Sequence, residues 1–250
     1  MSMTPNNPTE IPTERIAKRI AHAGLCSRRD AERWIEQGRV QIDGEIITTP
    51  AIVVSPHQEI LVDGKPLPGL VQSRLWGYFK PAGVITTHHD PQGRPTVFQQ
   101  LPSTMPRVVS IGRLDLNSEG LILLTTDSAM ARYAELPTTA WPRQYRVRVY
   151  GDLPSEILED LKNGIEVEGI RYGRIDVEIT RETGRNSWLL MTLYEGKNRE
   201  IRRVLQYLGL HVNRLIRVAY GPFLLDNHHP GDLWEIPASN FRTHFKTAWE

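Results

Sequence analysis

The sequence predicts an α+β protein in two parts: a small helix-turn-helix-strand module, then a larger domain on a largely antiparallel mixed sheet. Three observations carry this. Helical spacing is concentrated before Gly38, strand-like segments outnumber helical ones after Gly69, and the two kinds do not alternate as a doubly wound sheet requires. The chain has 250 residues and is 40% hydrophobic, enough for one medium and one small core.

The first twelve residues, MSMTPNNPTEIP, are polar and proline-bearing and read as a disordered lead-in. Ile16 and Ile20, four apart, predict a short helix to Ala23 that Gly24 ends. Ser27 then caps a second helix, with Asp30 three residues on as its capping-box partner. Ala31, Trp34 and Ile35 supply that helix's apolar stripe, and Gly38 closes it. Val40 and Ile42, Asp43-Gly44 and Ile46 form a hairpin signal, repeated more briefly at Ile60–Val62 and Asp63-Gly64. Pro66-Leu67-Pro68-Gly69 reads as a linker, so the module is expected over residues 13–68 and the larger domain over 72–250.

In the larger domain, strands are expected at Leu75–Phe79, Val108–Ile111, Gly120–Thr125, Gln144–Val149, Arg174–Thr180, Ser187–Tyr194 and Leu215–Ala219. Helices are expected at Ser128–Glu135, Ser155–Asn163 and Arg199–Leu208.

Composition narrows the function. No apolar run is long enough to span a bilayer and the N-terminus has no apolar signal region, so no membrane partner is expected. One cysteine, Cys26, allows no internal disulfide and fits a cytoplasmic setting. It also excludes zinc patterns that need paired cysteines. The adjacent histidines His88-His89 and His228-His229 point different ways along the chain and are read as loop residues, so no metal site is expected. No phosphate-loop or dinucleotide glycine pattern is present, which leaves no cofactor motif. The formal net charge is only +1, so nucleic-acid binding has to rest on where the charges sit.

Three segments can carry chemistry. Gly112-Arg113-Leu114-Asp115, just before the apolar strand Leu121–Leu124, can hold a carboxylate at a fixed position; a plain turn is the simpler reading of that segment alone. Arg143 to Val149 alternates, with Tyr145, Val147 and Val149 on one face and Arg146 and Arg148 on the other. Glu195 to Arg217 holds six basic residues, Lys197, Arg199, Arg202, Arg203, Arg214 and Arg217, opposed by Glu195 and Glu200. A solvated helix face and a nucleic-acid patch both fit this last segment.

Together these segments resemble the ribosomal RNA pseudouridine synthases of the small-subunit synthase A and large-subunit synthase B, E and F group. Gly112 to Asp115 matches the family's catalytic motif, Tyr145 its active-site tyrosine, Glu195 to Arg203 its basic motif and Lys80-Pro81-Ala82-Gly83-Val84 its first motif. Residues before the linker resemble the S4 RNA-binding domain. The likeness runs from about Thr13 to Pro237 and is nearest to large-subunit synthase B. Glu200 departs from the pattern, standing where relatives often carry Gln.

The resemblance implies an isomerase that turns a specific uridine into pseudouridine, in large-subunit ribosomal RNA, with the small-subunit RNA as the alternative. Asp115 is then the catalytic carboxylate, Arg202 its charged partner and Tyr145 the aromatic that stacks on the flipped base or relays a proton. Ile201 walls the pocket. Arg113, Lys80, Lys197, Arg199 and Arg203 are placed as RNA contacts, as are Arg28 and Arg29 of the S4-like module. That module carries eight basic and nine acidic side chains over residues 1–70, so only one helical face can favour phosphate. The implied partner is ribosomal RNA or an assembling subunit, the enzyme cofactor-free and a monomer. A binding protein without activity, and a nucleosidase that releases uracil, are the competing readings.

Overall fold

The computed structural model describes residues 13–69, 71–153 and 155–248; the expected lead-in lies outside the described residues. The chain divides into two compact units, Met1–Gln72 and Ser73–Glu250.

In the first unit the helices are Ile16–His22 and Arg28–Glu36. The capping box at Ser27 is formed in both directions. The Asp30 N–H donates to Ser27 Oγ at 3.1 Å and the Ser27 N–H to Asp30 Oδ2 at 3.3 Å. Such a cap is worth about 1 kcal/mol. A four-stranded sheet runs in the order Glu45–Ile47, Val40–Ile42, Ile60–Val62, Lys65–Pro66. Both of its Asp-Gly turns have positive φ at both residues (51° and 87° at Asp43-Gly44, 49° and 72° at Asp63-Gly64), the geometry whose twist suits a two-residue hairpin. Ile16, Ile20, Ala31, Ile35, Val40 and Val62 pack as one core, with Cys26 buried among them. The expected linker begins too early. Pro66 still belongs to a strand, and the Leu67 N–H donates to Ile60 O at 2.8 Å.

In the second unit nine strands form one sheet among the described residues. Its main path runs Ile175–Thr183, Asn186–Leu193, Arg143–Tyr150, His211–Tyr220, Glu119–Thr125, Leu75–Lys80, Leu233–Ile236. Neighbours on this path are antiparallel except where Ile216 and Arg217 meet Glu119 and Gly120 in parallel register. Alternation along Glu119–Thr125 sends Leu121 and Leu123 into one core and Ile122 and Leu124 into another, so both faces of this strand are covered. A third core gathers Val147, Val149, Leu189 and Met191 under Ile201, Val204 and Leu205 of the helix Glu200–Tyr207.

Gly120 is required where the parallel pair meets. Its φ is 105°, and an added Cβ would sit 2.3 Å from Arg217 O and 2.6 Å from Arg217 N. That close approach brings the Arg217 strand against the segment that follows Asp115.

Expected helices and strands are all present, with ends moved by at most four residues. Helix Glu200–Tyr207 starts one residue late because Arg199 is left-handed at φ 51°. The short elements Ile165–Val167, Ile170–Tyr172 and Leu233–Ile236 were not anticipated, since three or four residues are too few to display a period.

Candidate active site

The Asp115 loop is held through its backbone. The Gly112 N–H donates to Glu135 Oε1 at 2.7 Å. Thr86 Oγ1 accepts from Leu114 N–H at 3.3 Å and donates to Leu114 O at 3.1 Å. Asp115 O accepts from Ser118 N–H at 3.0 Å, and Leu116 O from Gly83 N–H at 2.9 Å. The remaining carbonyls go to cations. Lys80 Nζ donates to Ser118 O at 2.6 Å, Leu116 O at 3.3 Å and Pro81 O at 3.0 Å. Arg202 Nη2 reaches Asn117 O at 3.1 Å, and Arg217 Nη1 reaches Arg113 O at 3.5 Å. Every carbonyl from Arg113 to Ser118 is thereby satisfied, with three cations among the donors.

This corrects the reading of Lys80 as an RNA contact. The side chain is fully buried beneath the loop, where its three donors meet three carbonyls. Burial pulls its pKa down to about 8, against the opposing pull of Asp115 and Glu119.

A cavity of about 680 Å³ opens over the loop, and five arginines line it: Arg113, Arg143, Arg199, Arg202 and Arg217. Asp115 also lines it, with its side chain one-third exposed. Arg199 Nη1 lies 3.6 Å from Asp115 Oδ2. Arg202, expected in that place, is instead half-buried and donates to Asn117 O and, at 3.4 Å, to Val212 O. Burial and Arg199 both lower its pKa, while the field of Asp115 raises it. Arg202 is thus an electrostatic neighbour of Asp115 that holds the loop, and the ion-pair partner is Arg199. A bridge this long and exposed contributes about 0–1 kcal/mol to stability.

Tyr145 lines the same cavity, between Met191 and Arg217 in the sheet register. Ile201 is buried in the wall. Arg113 is exposed at the rim. Lys197 is exposed, but its ammonium is engaged by Glu195 Oε2 at 2.6 Å and Arg171 O at 2.7 Å. Arg203 is half-exposed and lies outside the lining of the cavity. Arg28 and Arg29 are exposed on the first unit. His88 stacks on Phe98 and His228 on Trp234, each with ring centroids 3.5 Å apart.

Sequence reasoning undervalued Arg143 and Arg217. Arg217 is 2% exposed, with Nε on Leu121 O at 2.7 Å and Nη2 without a partner in the protein. Its guanidinium lies 5.0 Å from the Tyr220 ring centre, and Arg143, 4.8 Å from the same ring, also donates to the Tyr220 hydroxyl at 3.0 Å. The available signal was an arginine inside an apolar strand, Leu215 to Val218.

The family model for RNA pseudouridylate synthase matches residues 75–207, the segment that holds Asp115, Tyr145 and Arg202. The chain belongs to the RNA pseudouridine synthase family. The S4 domain model matches residues 14–60 of the synthase, within its first unit. An uncharacterized RNA pseudouridine synthase of Rickettsia felis is 49% identical over 223 residues, covering 89% of this chain and 96% of that protein. Ribosomal large subunit pseudouridine synthase B of Salmonella typhi is 39% identical over 229 residues, covering 89% of this chain and 78% of its own. A crystal structure of pseudouridylate synthase superimposes with a TM-score of 0.65 at 25% identity, covering 90% of this chain and 96% of the other. Among the described residues of the synthase, no helix is long and apolar enough to cross a membrane.

Proposed function

We propose that this RNA pseudouridine synthase isomerises a specific uridine of large-subunit ribosomal RNA, with Asp115 as its catalytic carboxylate. The observation that carries the reading is a carboxylate on a loop whose carbonyls are all hydrogen-bonded, open to a cavity lined by five arginines. Likeness to the Salmonella large-subunit enzyme supports the choice of RNA.

The reaction breaks the bond between ribose C1′ and uracil N1, turns the base and joins C1′ to C5, with loss of the C5 hydrogen as a proton and uptake of a proton at N1. It balances within the substrate, so this reading needs no redox cofactor and no metal. Asp115 either attacks C1′ or removes the C2′ proton; both routes begin from the ionised carboxylate beside the sugar. The uracil leaves bearing negative charge, which the guanidinium groups of Arg199 and Arg217 are near enough to the cavity to stabilise. The target base must be extruded from its stack at a cost of a few kcal/mol, and Tyr145 with Ile201 offers an apolar and aromatic seat that offsets part of it. Arg113 at the rim takes phosphate or the vacated stack. Arg28 and Arg29 supply a separate, salt-sensitive grip, and the enzyme acts as a monomer.

The test is release of tritium from ribosomal RNA labelled at uridine C5 and taken from cells lacking this protein. Release from the large-subunit RNA, without free uracil and absent with Asp115→Asn, is expected. Release from the small-subunit RNA alone overturns the choice of substrate; free uracil overturns the isomerase.

A further inference from the structure

Glu200 is a carboxyl group at the cavity that the proposed chemistry does not use. It is 3% exposed, opens the helix Glu200–Tyr207 and lines the cavity wall. Its Oε2 accepts from Lys197 N–H at 3.2 Å, and its Oε1 is buried with no donor from the protein. The carboxyl of Glu195 belongs to the same knot, since Lys197 gives its N–H to Glu200 Oε2 and its ammonium to Glu195 Oε2. Both oxygens of Glu195 are served by other donors, Gly173 N–H to Oε1 at 2.7 Å and Lys197 Nζ to Oε2 at 2.6 Å. Of the four oxygens in this pair, only Glu200 Oε1 lacks a hydrogen atom directed at it.

We propose that Glu200 is a positioning residue that carries a proton and donates it in a hydrogen bond to ionised Glu195, thereby fixing the Gly196–Arg199 loop that presents Arg199 to Asp115. Two ionised carboxylates in contact at a buried site repel each other, and one shared proton removes that repulsion. The pair closes the loop at both ends. Glu195 follows the strand Asn186–Leu193, Glu200 begins the helix, and between them Arg199 is held left-handed at φ 51°. Gly173 ties a third segment to the same knot.

The electrostatics agree with this assignment. Burial first, then Glu195, pushes Glu200 up to about 7. Glu195 goes the other way: against its own burial, the Gly173 N–H and the Lys197 ammonium hold it below the ordinary carboxylate range. Lys197 is the one cation acting on Glu200, and it favours ionisation. The other charged groups around the loop are directed elsewhere: Arg199 to Asp115, Arg202 to two carbonyls, Arg217 to Leu121 O and Arg113 O, Arg171 to Asn163 O. A carboxyl whose folded pKa lies above its unfolded value contributes stability that is full below about 4.5 and is lost as pH rises through about 7. Loss of the proton therefore loosens the loop over that window.

The experiment is carbon-13 NMR of the full chain labelled at glutamate Cδ, with amide spectra of Lys197 and Arg199, from pH 4 to 9. Wild type is expected to show one carboxyl titrating near 7, with both amides following the same midpoint. In Glu200→Gln that carboxyl signal and the amide titration disappear. In Glu195→Gln, with the like charge removed, the Glu200 midpoint moves down. In tritium release, the wild-type rate falls at least about thirtyfold between pH 6 and 8.5 if only the protonated form is competent, and the Glu200→Gln profile lacks the limb with midpoint near 7, keeping only the fall near 8 that Lys80 supplies. A wild type with no glutamate titrating above pH 6, loop amides indifferent to that titration, or a limb with midpoint near 7 retained in Glu200→Gln each overturns the proposal. The rate arm uses ribosomal RNA as substrate, whereas the NMR arm needs no RNA. A wrong choice of RNA removes the rates and leaves the titration, and a wrong assignment of Glu200 removes the titration.

Discussion

The Arg113–Ser118 loop and the Gly196–Arg199 loop face one cavity and are built in opposite ways. The first has every carbonyl taken, three of its donors being the cations Lys80, Arg202 and Arg217. The second is exposed along its length and fastened at its ends by Glu195 and Glu200. A reacting carboxylate gains from a platform whose geometry is settled before substrate arrives. A basic lip that meets phosphates and a flipped base gains from side chains free to turn. The positive charges of this site thus divide into inward ones that shape the loop and exposed ones that stand open at the cavity, and that division is what mutation can break.

The largest effect is expected at the group both loops serve. Asp115→Asn should lower turnover at least about 10³-fold while RNA affinity in a filter-binding assay stays within about threefold. A tenfold or smaller loss of tritium release would remove Asp115 from the chemistry.

Next comes the rigid platform. Lys80→Met takes the ammonium from Pro81 O and Ser118 O and leaves Leu116 O with only the Gly83 N–H, at about 1–3 kcal/mol for each carbonyl left unpaired before relaxation. Urea unfolding should show a loss of about 3 kcal/mol, and turnover should fall with it. Arg199→Ala, on the exposed lip, should change stability by less than about 0.5 kcal/mol. Equal losses in the two variants would erase the distinction between the loops.

Deletion of residues 1–72 follows. The remaining unit should stay folded by circular dichroism, bind RNA about tenfold less tightly and show a shallower dependence on salt. An unfolded fragment would disprove independent units.

The finest comparison is between two arginines. Arg202→Lys should cost about tenfold in turnover, because one ammonium cannot reproduce a planar fork spanning Asn117 O and Val212 O. Arg199→Lys keeps the charge beside Asp115 and should cost about threefold or less. A reversed order would restore Arg202 as the direct partner of the carboxylate.

Much of this was legible in the chain. The Ser27 capping box, both Asp-Gly hairpins, the apolar stripe from Ile201 to Leu205 and the inward alternation of Val147 and Val149 are local patterns, set by neighbours within four residues. Asp115, Tyr145 and Ile201 were found through motifs, and the fold brings all three to one cavity. The destinations of the cations were not legible. Lys80, Arg202 and Arg217 look alike in sequence to Arg113 and Arg199, yet the first three turn inward to carbonyls and the last two stand open at the cavity.

The sequence by itself therefore determined the two units, their longer elements and the residue types at the site, because spacing and turn chemistry act over a few residues. Only the tertiary structure decided which positive charges are buried, that Arg199 is the one paired with Asp115, and that Lys197 ties Glu195 and Glu200 together. Those outcomes depend on backbone carbonyls up to about a hundred residues away in the chain, such as Arg113 O beneath Arg217, and no local pattern encodes where such partners will meet.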